Sequence, residues 1–389
     1  MREPVTGINP KILVWARHRS GQSVDQVARA LGKQPEIIQS WEAGASTPTY
    51  AQLEALAYKV YKRPIALFFF PEPPDEPEPE HSFRTLPEFE IEELSSDTRF
   101  HIRDARALQL ALYELNGGKN PAPGKIFREI GTGAALSAME IADRVRLSLE
   151  IDLETQKTEW RRPEEALKAW RKAVEDKGVF VFKSSLQQRD VSGFCLYDEE
   201  LPIIYLNNST ATTRQIFTLF HELAHTLLRT SGVTKLDDRY IGSLSGEAKR
   251  VEVFCNRFAA EFLVPGSDFR RRVQRLRTDD ESVAVLAGEY KVSREVILRR
   301  LRDLDLVSQA DYEERTARLR KEYENRPRGE GGGNYYATKA SYLGETFLRL
   351  AFGRYYQGAI SVQQLADFLN IRVSRVPGLE QLFLQKAAV

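Results

Sequence analysis

The chain has 389 residues, which is too many for one compact core, and we therefore expect two to four domains. Hydrophobic residues make up 42% and charged residues 29%, as in an ordinary soluble protein. The net charge of +1 excludes nucleic-acid binding driven by overall charge, so any DNA contact requires a local basic patch. The two cysteines, Cys195 and Cys255, exclude a disulfide framework and a cysteine-rich zinc module. With no signal peptide and no apolar run long enough to span a bilayer, this low cysteine content predicts a cytoplasmic protein.

Residues 8–70 carry the start and stop signals of four short helices. Helix starters alternate with glycine breakers in the order Asn9, Gly21, Ser23, Gly32, Pro35, Gly44 and Pro48. Residues 1–70 contain nine Lys or Arg and five Asp or Glu, so this segment carries a charge of +4. The pattern predicts an all-α helix-turn-helix domain at residues 1–71, with Ile37, Ile38 and Trp41 in its core.

The same segment carries a family motif, formed by residues 23–28, 31–32, 38–44, 48–49 and 53–57. It resembles the Xre-type helix-turn-helix of phage-repressor-like regulators. The resemblance implies that the helix from Gln34 to Trp41 enters the major groove. Base edges would then face Gln34, Gln39 and Ser40, and phosphates would face Arg17, Arg19 and Lys33. Glu36 lies on the presumed reading face, and that helix has no Lys or Arg before Trp41. The alternative is therefore a helix-turn-helix that is retained for docking another protein.

Residues 72–81 form an acidic, proline-rich stretch with five acidic residues and no basic one, which predicts a stiff linker. A helical segment is expected at residues 82–164. Alternating β-branched and aromatic residues then predict strands at 178–182, 191–197 and 201–206, the last two forming a hairpin. Helices followed by a small sheet and a further helix indicate an α+β arrangement.

The further helix contains the motif His221-Glu222-Leu223-Ala224-His225. Apolar residues recur at helical spacing through residues 212–228, and Asn208, Ser209 or Thr210 is expected to cap the start. His221 and His225 are four residues apart, so their imidazoles point the same way, as two nitrogen ligands of one zinc ion require. Glu222 would reach a water molecule on the metal but not the metal itself. The alternative is a buried helix with two neutral, hydrogen-bonded histidines.

Residues 229–246 are polar and predict a loop, in which Tyr240 is a candidate for steadying an oxyanion. The next segment, 247–265, has an apolar stripe at helical spacing. Glu252 lies one step from that stripe, and a carboxylate there would complete a site of two histidines and one carboxylate. Glu247 and Glu261 are the alternative third ligands.

Together, residues 221–225, Glu252, Asn256, 258–261 and 263–265 resemble the ImmA/IrrE metallopeptidase family. The resemblance covers about residues 165–305, and with residues 82–85 and the Xre-like segment it extends over most of the chain. It implies a metallopeptidase domain at 165–276. In that domain His221, His225 and Glu252 would bind Zn²⁺ and Glu222 would be the general base. It also implies a repressor-type protein substrate, cut to switch on stress or mobile-element genes.

The last third of the chain is less informative. Residues 277–328 predict a second, helix-turn-helix-like segment whose arginines either contact phosphate or form a solvated face. A glycine-rich break at 329–333 precedes the final helices, so a C-terminal helical unit is expected at residues 329–389. Its role would be substrate docking, oligomerisation or neither.

These observations predict a multidomain, mostly α protein with an α+β zincin-like metallopeptidase core and an N-terminal all-α helix-turn-helix. We expect a zinc-dependent endopeptidase with a DNA-binding regulatory domain. The alternatives are a non-catalytic transcription regulator that uses the metallopeptidase fold as a sensor or docking platform, and an antitoxin-like DNA-binding protein. Expected partners are a repressor-type substrate and duplex DNA through residues 1–71. No membrane partner is expected, and a second copy of the chain, forming a homodimer, is a further candidate.

Overall fold

The computed structural model describes residues 3–76, 91–130, 137–324 and 333–387. The chain divides into two compact units, residues 1–106 with 186–189 and residues 107–185 with 190–389. The boundary falls inside one long helix, Ser96–Asn116. The predicted linker is described only as far as Glu76, while residues 82–85 and most of the glycine-rich break lie outside the described residues. Within the described part, no helix is both long and apolar enough to cross a membrane.

The four helices predicted near the start of the first unit are confirmed. They are Pro10–Arg19, Val24–Leu31, Pro35–Glu42 and Tyr50–Glu54, the last continuing as a π-helical turn, Ala55–Val60, before the 3-10 helix Ile65–Phe69. Asn9 and Ser23 cap their helices as predicted, Ser23 through a capping box with Gln26. Ile38 and Trp41 are buried in the core of this unit. Ile37 is 41% exposed, so its predicted core position was wrong.

A four-stranded sheet in the second unit consists of β1 (Phe180–Ser184), β2 (Val191–Leu196), β3 (Ile203–Asn207) and β4 (Gly232–Lys235), in the order β1-β3-β2-β4. β2 and β3 form the predicted antiparallel hairpin, β1 pairs parallel to β3, and β4 pairs antiparallel to β2. β4 corrects the prediction of a loop at residues 229–246. Its four residues are too few to show alternation, and its pairing with β2 is a contact between distant segments.

The second unit's helices come before and after this sheet in the chain. Before the sheet they are Ile126–Glu129, Ala138–Leu149, Leu153–Thr158 and Pro163–Asp176. After it come Thr212–Leu227, Gly246–Leu263, Gly266–Val273, Asp280–Tyr290, Arg294–Asp303 and Gln309–Glu324. The C-terminal helices are Tyr335–Leu343, Glu345–Tyr356, Val362–Phe368 and Val376–Ala387, and the 3-10 helices are Asp238–Gly242 and Val373–Arg375.

Two of these helices carry the predicted zinc ligands, and we call Thr212–Leu227 the HExxH helix and Gly246–Leu263 the Glu252 helix. Aromatic packing joins them: the Phe220 and Phe262 rings stack with centroids 4.0 Å apart, and Trp170 meets each edge-on at 5.2 Å. The predicted cap of the HExxH helix was wrong. Ala211 occupies the cap position without a side-chain hydrogen bond, because the Thr210 hydroxyl donates instead to the backbone oxygen of Asn207.

Candidate metal centre

Three side chains from the two helices converge in the interior of the second unit. The Nε2 atoms of His221 and His225 lie 3.2 Å apart. One carboxylate oxygen of Glu252 lies 3.3 Å from Nε2 of His221, and the other lies 3.2 Å from Nε2 of His225. Each of the three side chains is no more than 2% exposed. The structure therefore brings together the three residues predicted as zinc ligands.

Hydrogen bonds to Nδ1 of each imidazole determine which ring nitrogen carries the proton. Nδ1 of His221 lies 3.1 Å from Oδ1 of Asn256, which can only accept a proton. Nδ1 of His225 lies 3.2 Å from the hydroxyl oxygen of Thr230, whose own proton goes to the backbone oxygen of His225. Both rings thereby carry a proton on Nδ1 and direct Nε2 at Glu252. A neutral ring presents a lone pair there, and a charged ring donates a hydrogen bond.

The arrangement fits a divalent cation. Two nitrogen lone pairs and a carboxylate face one another at 3.2–3.3 Å, which is repulsive unless a positive charge lies between them. Around a tetrahedral zinc ion with bonds of about 2.0–2.1 Å, neighbouring ligand atoms are roughly 3.3 Å apart. The donor types and their spacing thus both match a zinc site.

The pKa shifts of Glu252 and His225 agree with a positive charge at this position. Although burial opposes it, the charge of His225 and hydrogen bonds from both imidazoles lower the pKa of Glu252 well below its usual range. Burial likewise opposes charge on His225, but Cys255 and Glu252 beside the ring raise its pKa well above the usual value. Both shifts favour an ionised carboxylate next to a positive charge, whether that charge is a proton or a metal ion.

Glu222 lies on the same helix, fully buried, beside the two imidazoles. The Thr234 hydroxyl of β4 donates a hydrogen bond to its Oε1. Its Oε2 is buried with no hydrogen-bond partner among the residues that the structure describes. Burial raises the pKa of Glu222, and the charges of His225 and His221 and the hydrogen bond from Thr234 oppose that rise. A buried carboxyl with one free oxygen and a raised pKa suits a proton acceptor.

The segment between the two helices covers the centre from another side. The Tyr240 hydroxyl donates to Oε2 of Glu252 at 2.6 Å, so the predicted oxyanion candidate contacts a predicted ligand. A Cβ atom at Gly232, in β4, would lie 2.6 Å from Nε2 of His225. Asp237 pairs with Arg320 at 2.7 Å and thereby joins this segment to the helix Gln309–Glu324. Partial burial opposes it, but hydrogen bonds from Arg239 and the charge of Arg320 lower the pKa of Asp237 to about 2.

The alternative carboxylates lie elsewhere. Glu247 is exposed on the first turn of the Glu252 helix. Glu261 accepts hydrogen bonds from the backbone nitrogen of Gly266 at 2.7 Å and from Arg300 at 2.6 Å. Neither carboxylate is in contact with the two imidazoles in the described structure.

The residues predicted to contact DNA lie in the first unit. Gln34, Gln39 and Lys33 are exposed, and Arg19 and Ser40 are half-buried, with the Ser40 hydroxyl 2.7 Å from that of Ser46. The guanidinium of Arg17 instead binds both carboxylate oxygens of Glu42, at 2.7 and 3.0 Å. Exposed side chains on the third helix are compatible with groove contacts, whereas Arg17 is already paired. The DNA contacts remain predictions.

Sequence reasoning missed several residues of the centre. Asn256 was named in the family motif but was given no contact, although it lies one turn after Glu252 on the same helix face. Gly232 and Thr234 gave no signal in the sequence, because the pairing of β4 with β2 brings them to the HExxH helix. Thr230 follows the end of that helix and contacts His225 five residues back. Cys255, a buried free thiol, was given no role at the centre. Its Sγ and one ring nitrogen each of His221 and His225 lie within 4.8 Å of one another.

One family model matches the part of the chain that holds the centre. Residues 174–302, about a third of the chain, match the family model Peptidase M78, the IrrE N-terminal-like domain, and this stretch contains every residue of the centre. The chain is also similar to a solved structure described as a Mycobacterium tuberculosis transcriptional regulator, with 16% identity and a TM-score of 0.28. That match covers 50% of this chain and 51% of the regulator, so it spans about half the length of each. No curated protein matches the chain.

Proposed function

We propose that the chain is a zinc-dependent endopeptidase with a DNA-binding regulatory unit, and that it cleaves a repressor-type protein. The observation that supports this most is the convergence of two Nε2 lone pairs and the Glu252 carboxylate at 3.2–3.3 Å, with Glu222 alongside. A site that only holds a structural ion does not need a neighbouring carboxylate with a free oxygen. The match of residues 174–302 to the IrrE N-terminal-like domain supports the same proposal.

In this proposal His221, His225 and Glu252 hold the metal, and zinc, when bound, supplies the Lewis acidity that activates water and polarises a peptide carbonyl. The free oxygen of Glu222 accepts the proton of the attacking water and passes it to the leaving amine. Thr234 fixes the other oxygen and so orients the carboxylate. Asn256 and Thr230 hold the two imidazoles with their lone pairs directed inward.

Tyr240 is the proposed donor to the oxyanion that forms on the substrate. In the structure its hydroxyl is bonded to Glu252 at 2.6 Å. The role therefore requires the phenol to turn away from Glu252 when substrate arrives. Stabilisation of a developing negative charge by such a donor is typical of peptide hydrolysis.

A non-catalytic alternative is supported by one observation, the burial of the centre. His221, Glu222, His225 and Glu252 are each at most 1% exposed, so a peptide reaches them only after the covering segment moves. A buried metal centre of this kind also suits a sensor that changes shape on metal binding. In that case the chain is a transcription regulator, or an antitoxin-like DNA-binding protein, without peptidase activity.

The experiment that separates these functions compares wild type with Glu222→Gln. Bound zinc is measured by elemental analysis, and cleavage is measured with a quenched fluorescent peptide library. A peptidase keeps zinc in Glu222→Gln and loses about 10²- to 10⁴-fold in rate, because the general base is gone. Glu247→Gln, an exposed carboxylate on the Glu252 helix, is the matched control and changes neither measurement. Equal activity of wild type and Glu222→Gln contradicts the enzymatic proposal.

The ligand assignment has its own test. His221→Ala, His225→Ala and Glu252→Gln are each expected to lower zinc content, because each removes one of three converging donors. Stoichiometric zinc in either histidine variant contradicts the assignment. Zinc affinity unchanged in Glu252→Gln contradicts the choice of the third ligand.

A further inference from the structure

Cys255 faces the metal centre from the Glu252 helix. It lies three residues after Glu252 and next to Asn256, so the three side chains share one helix face. Glu252 contacts both imidazoles and Asn256 holds His221, which fixes that face against the HExxH helix. The thiol is fully buried and is not part of a disulfide.

The sulfur lies close enough to the imidazoles to share a ligand with them. Sγ of Cys255 and one ring nitrogen each of His221 and His225 all lie within 4.8 Å of one another. Ligand atoms around one tetrahedral zinc ion, with Zn–N of about 2.0 Å and Zn–S of about 2.3 Å, are separated by roughly 3.5 Å. The sulfur therefore lies near the range in which it can share a metal ion with the two imidazoles.

We propose that Cys255 is a sulfur donor to the metal ion that His221, His225 and Glu252 hold. The proposal rests on the metal site of the proposed function and deepens it. With sulfur bound, two nitrogens, one carboxylate and one thiolate fill a tetrahedron, as in closed zinc sites, whereas catalytic sites keep one position open. Cys255 thus controls how often the fourth position is available.

The donor set also determines which ion is preferred. A thiolate is a soft ligand, and it favours zinc, cobalt and cadmium over the hard ions manganese and magnesium. Two imidazoles and a carboxylate alone discriminate less between zinc and manganese. Cys255 is therefore expected to give the centre its preference for thiophilic metals.

Cobalt substitution of the full chain tests the proposal directly. Co²⁺ bound to a thiolate gives an intense sulfur-to-metal charge-transfer absorption in the near ultraviolet, which nitrogen and oxygen ligands do not give. The wild-type cobalt protein is expected to show this band. Cys255→Ser and Cys255→Ala are expected to lose the band. Their cobalt and zinc affinities should fall more than about tenfold, since removing even an outer-shell partner of a zinc ligand costs about 10- to 100-fold.

Cys195→Ser is the matched control, because Cys195 is the chain's other buried free thiol. It is expected to keep the band. A wild-type protein that binds cobalt through His221 but shows no charge-transfer band overturns the role of Cys255 and leaves the proposed metal site standing. Loss of the band in Cys195→Ser but not in Cys255→Ser also overturns it. If wild type binds no cobalt or zinc, the metal site and the sulfur donor both fail.

Discussion

Gly232 leaves no room for a side chain beside the centre. An added Cβ atom would lie 2.6 Å from Nε2 of His225, in the corner where the donor atoms meet. Its backbone lies outside the left-handed region, so space and not conformation requires glycine here. We expect Gly232→Ala to displace the His225 ring and to lower zinc affinity by at least about tenfold, as measured by competition with a chelator.

The control for this substitution is Gly288→Ala. Gly288 lies within the helix Asp280–Tyr290, and an added Cβ atom there meets nothing within 4 Å. This variant should keep wild-type zinc affinity and gain about 0.5–1 kcal/mol in free energy of unfolding, because alanine favours a helix over glycine. Wild-type zinc affinity in Gly232→Ala contradicts the prediction.

In the proposed peptidase, Thr234 sets the pH range in which Glu222 acts as general base. Burial raises the pKa of Glu222, and the Thr234 hydrogen bond opposes that rise by stabilising the ionised form. A general base works above its pKa and fails as the pH falls through it. Thr234→Val should therefore move the acid limb of kcat/KM to higher pH. The shift should be about one to two units, since a hydrogen bond to a charged group contributes about 1.5–3 kcal/mol and one unit is 1.36 kcal/mol.

Thr234→Ser keeps the hydroxyl and should reproduce the wild-type profile. An acid limb at the same pH in Thr234→Val and wild type means that another group sets it. Both variants keep the metal ligands intact, so zinc content is expected to match wild type in each.

At the scale of elements, the packing of the HExxH helix against the Glu252 helix keeps His221, His225 and Glu252 next to one another. Phe262 is 1% exposed and stacks on Phe220. Phe262→Ala should lower the free energy of unfolding by about 3–5 kcal/mol, through lost transfer energy and the cavity that is left. Leu147→Ala, at a 79% exposed helix position, should change it by less than about 0.5 kcal/mol. Denaturant unfolding of the chain measures both, and similar values for the two variants contradict the prediction.

The elements that local patterns describe were predictable, and those that depend on distant pairing were not. The periodicity of the HExxH helix and the capping signals of Asn9 and Ser23 are written in neighbouring residues, so these helices were confirmed. β4 was missed because four residues with one glycine give no alternation, and its hydrogen bonds come from β2. Thr234, which lies in β4, was missed for the same reason. Ile37 was placed in the core because it is apolar, but its helix turns it away from the Ile38 face.

At the scale of the whole molecule, positive charge is concentrated near the start of the chain. Net charge is +1 over 389 residues, while the first 70 carry +4. We expect the full chain to bind duplex DNA with an affinity that falls steeply with salt, because such binding depends on phosphate contacts. Lys33→Ala should reduce the slope of log K against log salt by about one in a gel-shift titration.

Lys59→Ala removes the same charge from an exposed position outside the third helix. It should leave the slope close to wild type. If both variants reduce the slope equally, the first unit attracts DNA without a defined face. If the full chain does not bind DNA even at low salt, the protein-docking interpretation of the helix-turn-helix is favoured.

The ion pair between Asp237 and Arg320 joins partly exposed side chains to the segment that contacts the candidate metal centre. Both side chains are 33% exposed, so solvent reaches the pair and limits its strength. The same short segment carries Tyr240, which orients Glu252. A change at this surface ion pair therefore acts on the same short segment that bonds the Glu252 carboxylate.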